Sequence, residues 1–396
     1  MKEGWEYKRI DEVCSIARGG SPRPIKDYIT KESYGLNWIK IGDTDMGGKY
    51  IFSTKEKIKP EGLKKSRWVE KDEFLLSNSM SFGRPYILKT NGCIHDGWLV
   101  LRDYQKYLNI DFFYYVLSSE CVQKQFRTKA QGSTVSNLNT DRVASVTIPV
   151  PPLSEQQRIV NYLDSAFAKI DAMKANAEKS LNEAKALFQA SLKEMLEPKE
   201  GWEEKKLMDL GQTQTGTTPS KSDKANYGDY MEFIRPSEID YDGNGGIDYN
   251  SEMKLSEQGV SKGRIFPSNS IFMVCIGATI GKVGFSTKKV SCNQQINVFT
   301  PKEKINYKFA YYAMRSPLFQ HRVLKEGTSS QATLPIINKG KWENLSIRFP
   351  EINEQKIIAS HLDNLSSKIV ELKANFEKIS RECDALKQAI LRQVFE

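Results

Sequence analysis

The sequence predicts an α+β chain: two globular mixed α/β domains separated by two long helices that form an antiparallel coiled coil, with pseudo-two-fold symmetry. Two observations predict this architecture. The chain is written twice, and each copy closes on a long run of helical heptads. Gly4-Trp5-Glu6 recurs as Gly201-Trp202-Glu203, and Pro22 recurs as Pro219. Glu155-Gln156, Leu163-Asp164, Lys169-Ile170 and Lys174-Ala175-Asn176 recur as Glu354-Gln355, Leu362-Asp363, Lys368-Ile369 and Lys373-Ala374-Asn375. The repeat far exceeds the roughly 20 to 50 residues of a solenoid unit, so it is a duplicated domain with its connector.

The duplication divides the chain into a first domain at 1–153, a central helix at 154–197, a second domain at 198–352 and a C-terminal helix at 353–396. In the two domains the ends match closely, whereas the middles, 68–101 against 265–299, match only in scattered positions. A shared frame therefore carries two different inserts. Of the net charge of +9, the first domain contributes 24 Lys+Arg against 18 Asp+Glu and the second 21 against 17, while the helices are near neutral. A basic surplus confined to the domains fits nucleic-acid binding, because Lys and Arg neutralise phosphates. An ordinary surface with a small positive bias fits the same numbers.

Each helix follows a proline breaker. Pro149-Val150-Pro151-Pro152 precedes Ser154, and Pro350 precedes Asn353, so Ser154 and Asn353 are the expected N-caps. In the C-terminal helix Leu362, Leu365, Ile369, Leu372, Phe376, Ile379, Cys383, Leu386 and Ile390 recur at spacings of three and four, the pattern of a coiled-coil seam. The central helix keeps this register with smaller residues: Leu163, Ala166, Ile170, Met173, Ala177, Ser180, Ala184 and Leu187. Small residues on one side accept large knobs from the other, so the helices are expected to pair with each other. An antiparallel pair lets the second domain join the end of one helix to the start of the next without bridging some 60 Å. The expected result is a rod with a domain at each end. Two domains related by a dyad suit duplex DNA, whose own local dyads let each domain read one half-site.

No run of about 18 apolar residues occurs, and Met1-Lys2-Glu3-Gly4-Trp5 lacks the apolar core of a signal peptide, so a cytoplasmic chain without a membrane partner is expected. The six cysteines, at 14, 93, 121, 275, 292 and 383, form no Cys-x-x-Cys pair, so neither zinc nor a redox dithiol is expected. His95, His321 and His361 share no spacing. Gly277 to Lys282 is one residue short of a phosphate loop, and Val283 replaces its Ser or Thr. Gly259-Val260-Ser261-Lys262-Gly263 matches a nucleophile elbow in letters, but polar Ser256-Glu257-Gln258 precedes it where a buried strand is required. Phe112, Phe113, Tyr114 and Tyr115, echoed by Phe309, Tyr311 and Tyr312, fit an amphipathic core helix better than a base-stacking platform.

The junction Ile148-Pro149-Val150-Pro151-Pro152-Leu153-Ser154-Glu155-Gln156-Gln157-Arg158-Ile159 and its echo from Ile347 to Ile357 resemble the domain-to-helix junction of specificity subunits in Type I restriction-modification systems. The Gly-Trp openings at 4 and 201 resemble that family's domain starts, and Gly277-Ala278-Thr279-Ile280-Gly281-Lys282-Val283-Gly284 is similar to a glycine-rich stretch of its recognition domains. The second copy departs at Glu351, where the first has Pro152, and the first offers only Ser81-Phe82-Gly83-Arg84-Pro85 for the glycine-rich stretch. The resemblance covers the whole chain. It implies a subunit without chemistry of its own, whose two target recognition domains each read half of a bipartite, asymmetric double-stranded DNA sequence. It also implies spacer helices that dock two methyltransferase subunits holding S-adenosylmethionine, with two motor-nuclease subunits adding ATP- and Mg-dependent translocation and cleavage. Consistent with that, the only Pro-Pro pair, Pro151-Pro152, lies outside any Asn/Asp-Pro-Pro-Tyr/Phe element. A coiled-coil protein-interaction scaffold without sequence-specific DNA binding is the alternative.

Candidate DNA contacts are Arg18, Ser21, Arg23 and Lys26 in the first domain, with Thr217, Thr218, Ser220 and Lys221 at the matching place in the second. Lys40 with Arg235, and Arg84 with Lys282, form two further matched pairs. Arg and Lys reach phosphates or guanine edges, and Ser or Thr chiefly phosphates. On the helices, Lys169, Lys174 and Glu178 with Lys368, Lys373 and Glu377 are the candidate docking residues.

Overall fold

The duplication seen in the sequence is a duplication of elements. The computed structural model describes residues 4–44, 48–79, 82–130, 138–240, 243, 245–251, 253–328 and 335–396. The first copy opens with strand Glu6–Arg9 and a one-turn helix Ile10–Val13, and the second with Glu203–Lys206 and Leu207–Leu210. Each opening strand pairs antiparallel with the strand that leaves its domain, Thr147–Val150 and Ser346–Phe349 respectively. Entry and exit of each domain are thereby tied together.

Between them lies a main sheet. In the first copy its order is Ser15–Arg18, Trp98–Arg102, Phe74–Ser77, Pro85–Leu88, Tyr50–Ile51, and in the second Gly211–Thr215, Ile296–Pro301, Ile271–Val274, Val283–Phe285. The central strands Phe74-Leu75-Leu76 and Ile271-Phe272-Met273-Val274 are wholly apolar because both faces are covered. Side chains of a strand alternate between faces. Phe74 and Leu76 accordingly join the core under the helices, and Leu75 joins the core against a second sheet; Ile271 and Met273 part from Phe272 and Val274 in the same way. That second sheet has one parallel pairing in each copy, Trp38 and Ile39 against Cys93 and Ile94, and Phe233 and Ile234 against Ser291 and Cys292.

The helices Ile110–Ser118 and Tyr307–Arg315 cover the main sheets, capped by Asn109 and Asn306, whose side chains accept two backbone N–H groups each. Phe112, Phe113, Phe309, Tyr311 and Tyr312 are buried, with the Phe113 ring 4.8 Å from that of Phe74. These aromatics are core, as their spacing indicates.

The long helices run Leu153–Met195 and Ile352–Phe395. Ser154 and Asn353 therefore lie one residue inside the helices rather than at the caps, and the carbonyls of Pro152 and Glu351 accept the first backbone bonds. By contacts the chain divides into two compact units that share both helices: one comprises 1–174 and 379–396, the other 175–378. Within the first, Cys383 Sγ donates to the Ile170 carbonyl at 3.7 Å and Lys387 meets Asp171 at 2.5 Å. In the same unit Leu163 shares a core with Leu391 and Phe395. Within the second, Phe188 and Leu192 share a core with Ile358 and Leu362. The start of one helix meets the end of the other in each unit, so the pairing is antiparallel.

In the central helix alternate seam positions are displaced by one residue: Leu163, Ile170, Ala177 and Ala184 face inward, but Met173, Ser180 and Leu187 are exposed and Leu181 and Phe188 are buried instead, whereas the C-terminal seam holds except at Leu386, which is exposed. The cause is the domain helices. The Phe167 ring packs 5.5 Å from Tyr115 and the Phe188 ring 6.2 Å from Tyr312, which rotates the buried stripe toward those residues.

Candidate nucleic-acid interface

The register of the main sheet collects most of the predicted contact residues at one end of it. In the first domain Arg18 pairs with Leu99, Trp98 with Ser77, and Leu76 with Pro85, so the end of Ser15–Arg18 and the loops around Asp96 and Arg84 emerge together. In the second, Thr215 pairs with Asn297 and Val274 with Ile296, and Val283 pairs with Met273. The corresponding loops around Thr218, Gln294 and Lys282 emerge at the same end.

The junction itself is built twice by the same backbone. Gly19 N donates to the Trp98 carbonyl at 2.9 Å and Gly20 N to Ile94 at 3.2 Å; Gly216 N donates to Ile296 and Thr217 N to Cys292, both at 2.9 Å. The approach is so close that a Cβ on Gly19 would lie 2.1 Å from the His95 carbonyl oxygen, and one on Gly216 2.1 Å from that of Asn293. Glycine is required at both places because there is no room for a side chain.

This superposition of hydrogen bonds makes Ser21 the counterpart of Thr218, and Asp96 the counterpart of Gln294. Ser21 Oγ donates to Asp96 Oδ1 at 2.7 Å, and Thr218 Oγ1 donates to Gln294 Oε1. Around Asp96, Arg18 Nε and Asn78 Nδ2 donate to its carbonyl at 3.1 and 2.9 Å, and Arg23 lies 3.5 Å from Oδ2. The Ser21 bond first, aided by His95 and Arg23, holds the Asp96 carboxyl below its usual range. It is a carboxylate at neutral pH. Burial pushes the neighbouring His95 below its ordinary value, and its Nε2 accepts from Ile41 N at 3.1 Å.

One matched pair escaped the sequence reading. Arg67 Nε donates to the Arg18 carbonyl at 2.6 Å, and Arg264 Nη1 donates to the carbonyl of Thr215, the counterpart of Arg18. These arginines lie just before the divergent middles, where the spacing that pairs Gly4 with Gly201 and Pro22 with Pro219 also pairs Arg67 with Arg264. The shared acceptor shows that the two play the same part.

The other predicted residues are distributed as follows. Lys26 and Lys221 are exposed, and Ser220 Oγ lies 2.8 Å from Ser222 Oγ. Lys40 and Arg235 are true counterparts, since their N–H groups donate to Asp43 and Glu238, each three residues on. Their side chains are taken up by carboxylates: Lys40 Nζ by Glu56 at 2.5 Å, and Arg235 Nη2 by the buried Glu238 at 2.6 Å. Arg84 and Lys282 are also counterparts, with carbonyls accepting from Ser77 N and Val274 N. Each follows a glycine with positive φ, Gly83 at 79° and Gly281 at 87°, whose carbonyl accepts from Gln123 or Gln320. The first copy therefore has the glycine turn that its letters scarcely display. Ser81 lies outside the described residues.

Lys169, Glu178, Lys368, Lys373 and Glu377 are exposed on the long helices, whereas Lys174 is half-buried, 3.8 Å from Asp384, and belongs to the helix pair. Ser261 ends a short surface helix, Glu257–Ser261, and donates to the Gln258 carbonyl, which is not an elbow after a buried strand. Gly277 to Gly284 joins two strands and opens no helix, so it cannot act as a phosphate loop. Among the described residues no cluster of His, Cys, Asp or Glu could hold a metal ion, and no helix is long and apolar enough to cross a membrane.

The chain is similar to known proteins. A family model described as the Type I restriction modification DNA specificity domain matches residues 2–183 and again 199–379. The chain is 31% identical to the Type I restriction enzyme HindI specificity subunit of Haemophilus influenzae over 43% of this chain and 37% of that protein. It is 22% identical to the EcoBI specificity subunit of Escherichia coli over 100% of this chain and 86% of that protein. Among solved structures, it resembles a chain from a study of complex assembly and conformational transition of the type I R-M system. That likeness has a TM-score of 0.75 at 19% identity and covers 100% and 98% of the two chains. The HsdS subunit from Thermoanaerobacter tengcongensis follows at a TM-score of 0.58 and 17% identity, covering 100% and 97%. At such identities the solved structures speak for the fold.

Proposed function

We propose a function from one premise: the chain belongs to the family of Type I restriction-modification DNA specificity domains. Such a chain confers DNA sequence specificity and is not itself the catalyst. The finer reading is that each domain, 1–153 and 198–352, reads one half-site of a bipartite, asymmetric double-stranded DNA target. The helices 154–197 and 353–396 dock two methyltransferase subunits through Lys169, Glu178, Lys368, Lys373 and Glu377. Those partners hold S-adenosylmethionine and methylate adenine at N6, and two motor-nuclease subunits bring ATP and Mg. The complex works in the cytoplasm.

The observation that carries this reading is the junction built twice on the same backbone bonds with different side chains, Ser21 with Asp96 and Thr218 with Gln294. One frame with two sets of polar groups is what reading two unlike half-sites requires. A scaffold that bound only proteins would leave both junctions without use. The test is to reconstitute the chain with its methyltransferase subunits and map N6-methyladenine in a genome with and without the gene. A split motif that vanishes with the gene is expected, and methylation without sequence preference would remove the reading.

A further inference from the structure

Asp96 and Gln294 hold the same place in their domains, and each spends one oxygen on the same task. Asp96 Oδ1 accepts from Ser21 at 2.7 Å, and Gln294 Oε1 accepts from Thr218. With that oxygen occupied, each fork has its other arm left to meet a partner, and those arms are of opposite kind. In Asp96 it is the carboxylate oxygen Oδ2, which among the described residues is met only by the exposed Arg23 at 3.5 Å. In Gln294 it is an amide NH2, with no hydrogen bond among the described residues. A carboxylate oxygen only accepts, and an amide NH2 only donates. The Asp96 side chain is 44% exposed, and Gln294 is exposed too. A carboxylate at a DNA-facing loop repels phosphates, so its presence there calls for a donor on the other side. The exocyclic amino groups of cytosine and adenine are the donors that the major groove offers, and N7, O6 and O4 are its acceptors.

We propose that Asp96 and Gln294 are base-reading residues of opposite polarity, Asp96 taking an amino-bearing base in one half-site and Gln294 an acceptor edge in the other. Ser21 and Thr218 position them and touch no base edge in this role. The inference rests on the reading of the chain as a DNA specificity subunit.

The test uses the full chain assembled with its methyltransferase subunits, assayed for N6-methylation of a randomised duplex library. Asp96→Asn keeps the oxygen that Ser21 bonds and turns the free arm from acceptor to donor; Gln294→Glu does the reverse. Each variant is expected to alter one base position in its own half-site by about tenfold in preference and to leave the other half-site unchanged. Ser21→Ala, which loosens the loop and keeps the free arm, is expected to lower methylation without changing the preferred base. Wild-type preferences in both fork variants would overturn the proposal, as would a Ser21→Ala preference shifted like that of Asp96→Asn. If Asp96→Asn lowers the melting temperature of the complex, Gln294→Glu decides alone. A wild-type complex with no split motif would instead remove the functional reading itself.

Discussion

Gln156 and Gln355 explain why Glu-Gln recurs at the head of each long helix. The Gln156 side chain is buried; its Oε1 accepts from Asn109 N at 2.8 Å, and its Nε2 donates to the carbonyls of Tyr107 and Pro151, both at 2.8 Å. Gln355 repeats this with Asn306 N, Lys304 and Pro350. Each glutamine thus locks a capped domain helix to a long helix through a fully paired amide. Replacing either by alanine leaves one buried and two part-buried backbone groups without this partner and should cost about 1–3 kcal/mol, measured by denaturant unfolding. A second residue sets an acid limit. Glu204, bonded first by the Ser346 hydroxyl and then by Arg348, is held down to about 2 from an ordinary 4.5. Because its folded value lies below its unfolded one, its stabilisation is complete above about pH 4.5 and is lost as pH falls toward 2. Glu204→Gln should flatten the acid side of the stability profile across that window while leaving stability at pH 2 little changed.

At the scale of elements, both helices and the buried face of the C-terminal one were legible from heptads, but the face that the central helix buries was legible only in part. Periodicity alone cannot choose between spacings of three-then-four and four-then-three when Leu187 and Phe188 are both apolar. The choice is made by Tyr312, which claims Phe188 and leaves Leu187 56% exposed. Phe188→Ala should therefore cost about 3–5 kcal/mol, and Leu187→Ala no more than about 0.5 kcal/mol, in the same unfolding assay. Equal costs would restore the register read from the sequence. The junction loops show the complementary limit. Gly19 and Gly216 are evident as glycines, and Arg67 and Arg264 fall opposite each other at the spacing of the repeat, but the pairing of Asp96 with Gln294 is visible only through shared backbone bonds, because the inserts around them differ in letters. The helix exteriors yield a further expectation. Charge reversal at Lys169, Lys368 or Lys373 should abolish binding of methyltransferase subunits in size-exclusion chromatography while melting is unchanged. Lys174→Glu should also lower the melting temperature, since Lys174 faces Asp384.

For the molecule as a whole, the division between frame and insert predicts how it can be rebuilt. The paired strands Glu203–Lys206 and Ser346–Phe349 tie the second domain's entry to its exit, and the buried Gln355 amide fixes that exit to the helix. The apolar residues between those strands fall into two cores, one that also takes in residues of the long helices and one between the two sheets, and the first domain shares neither. Exchanging residues 207–345 for the corresponding segment of a relative should therefore exchange one half-site in the methylation motif. The other half-site should persist, and so should the gap, because both helices are untouched. Binding of either version should weaken steeply with salt, by roughly 10³- to 10⁵-fold between 50 and 200 mM if about 6–10 phosphates are contacted. Base preference should survive that weakening, because phosphate contacts supply affinity and base contacts supply the choice of sequence. A motif whose two halves changed together would mean that recognition is not divided between the domains, and the duplicated junction would then need another explanation.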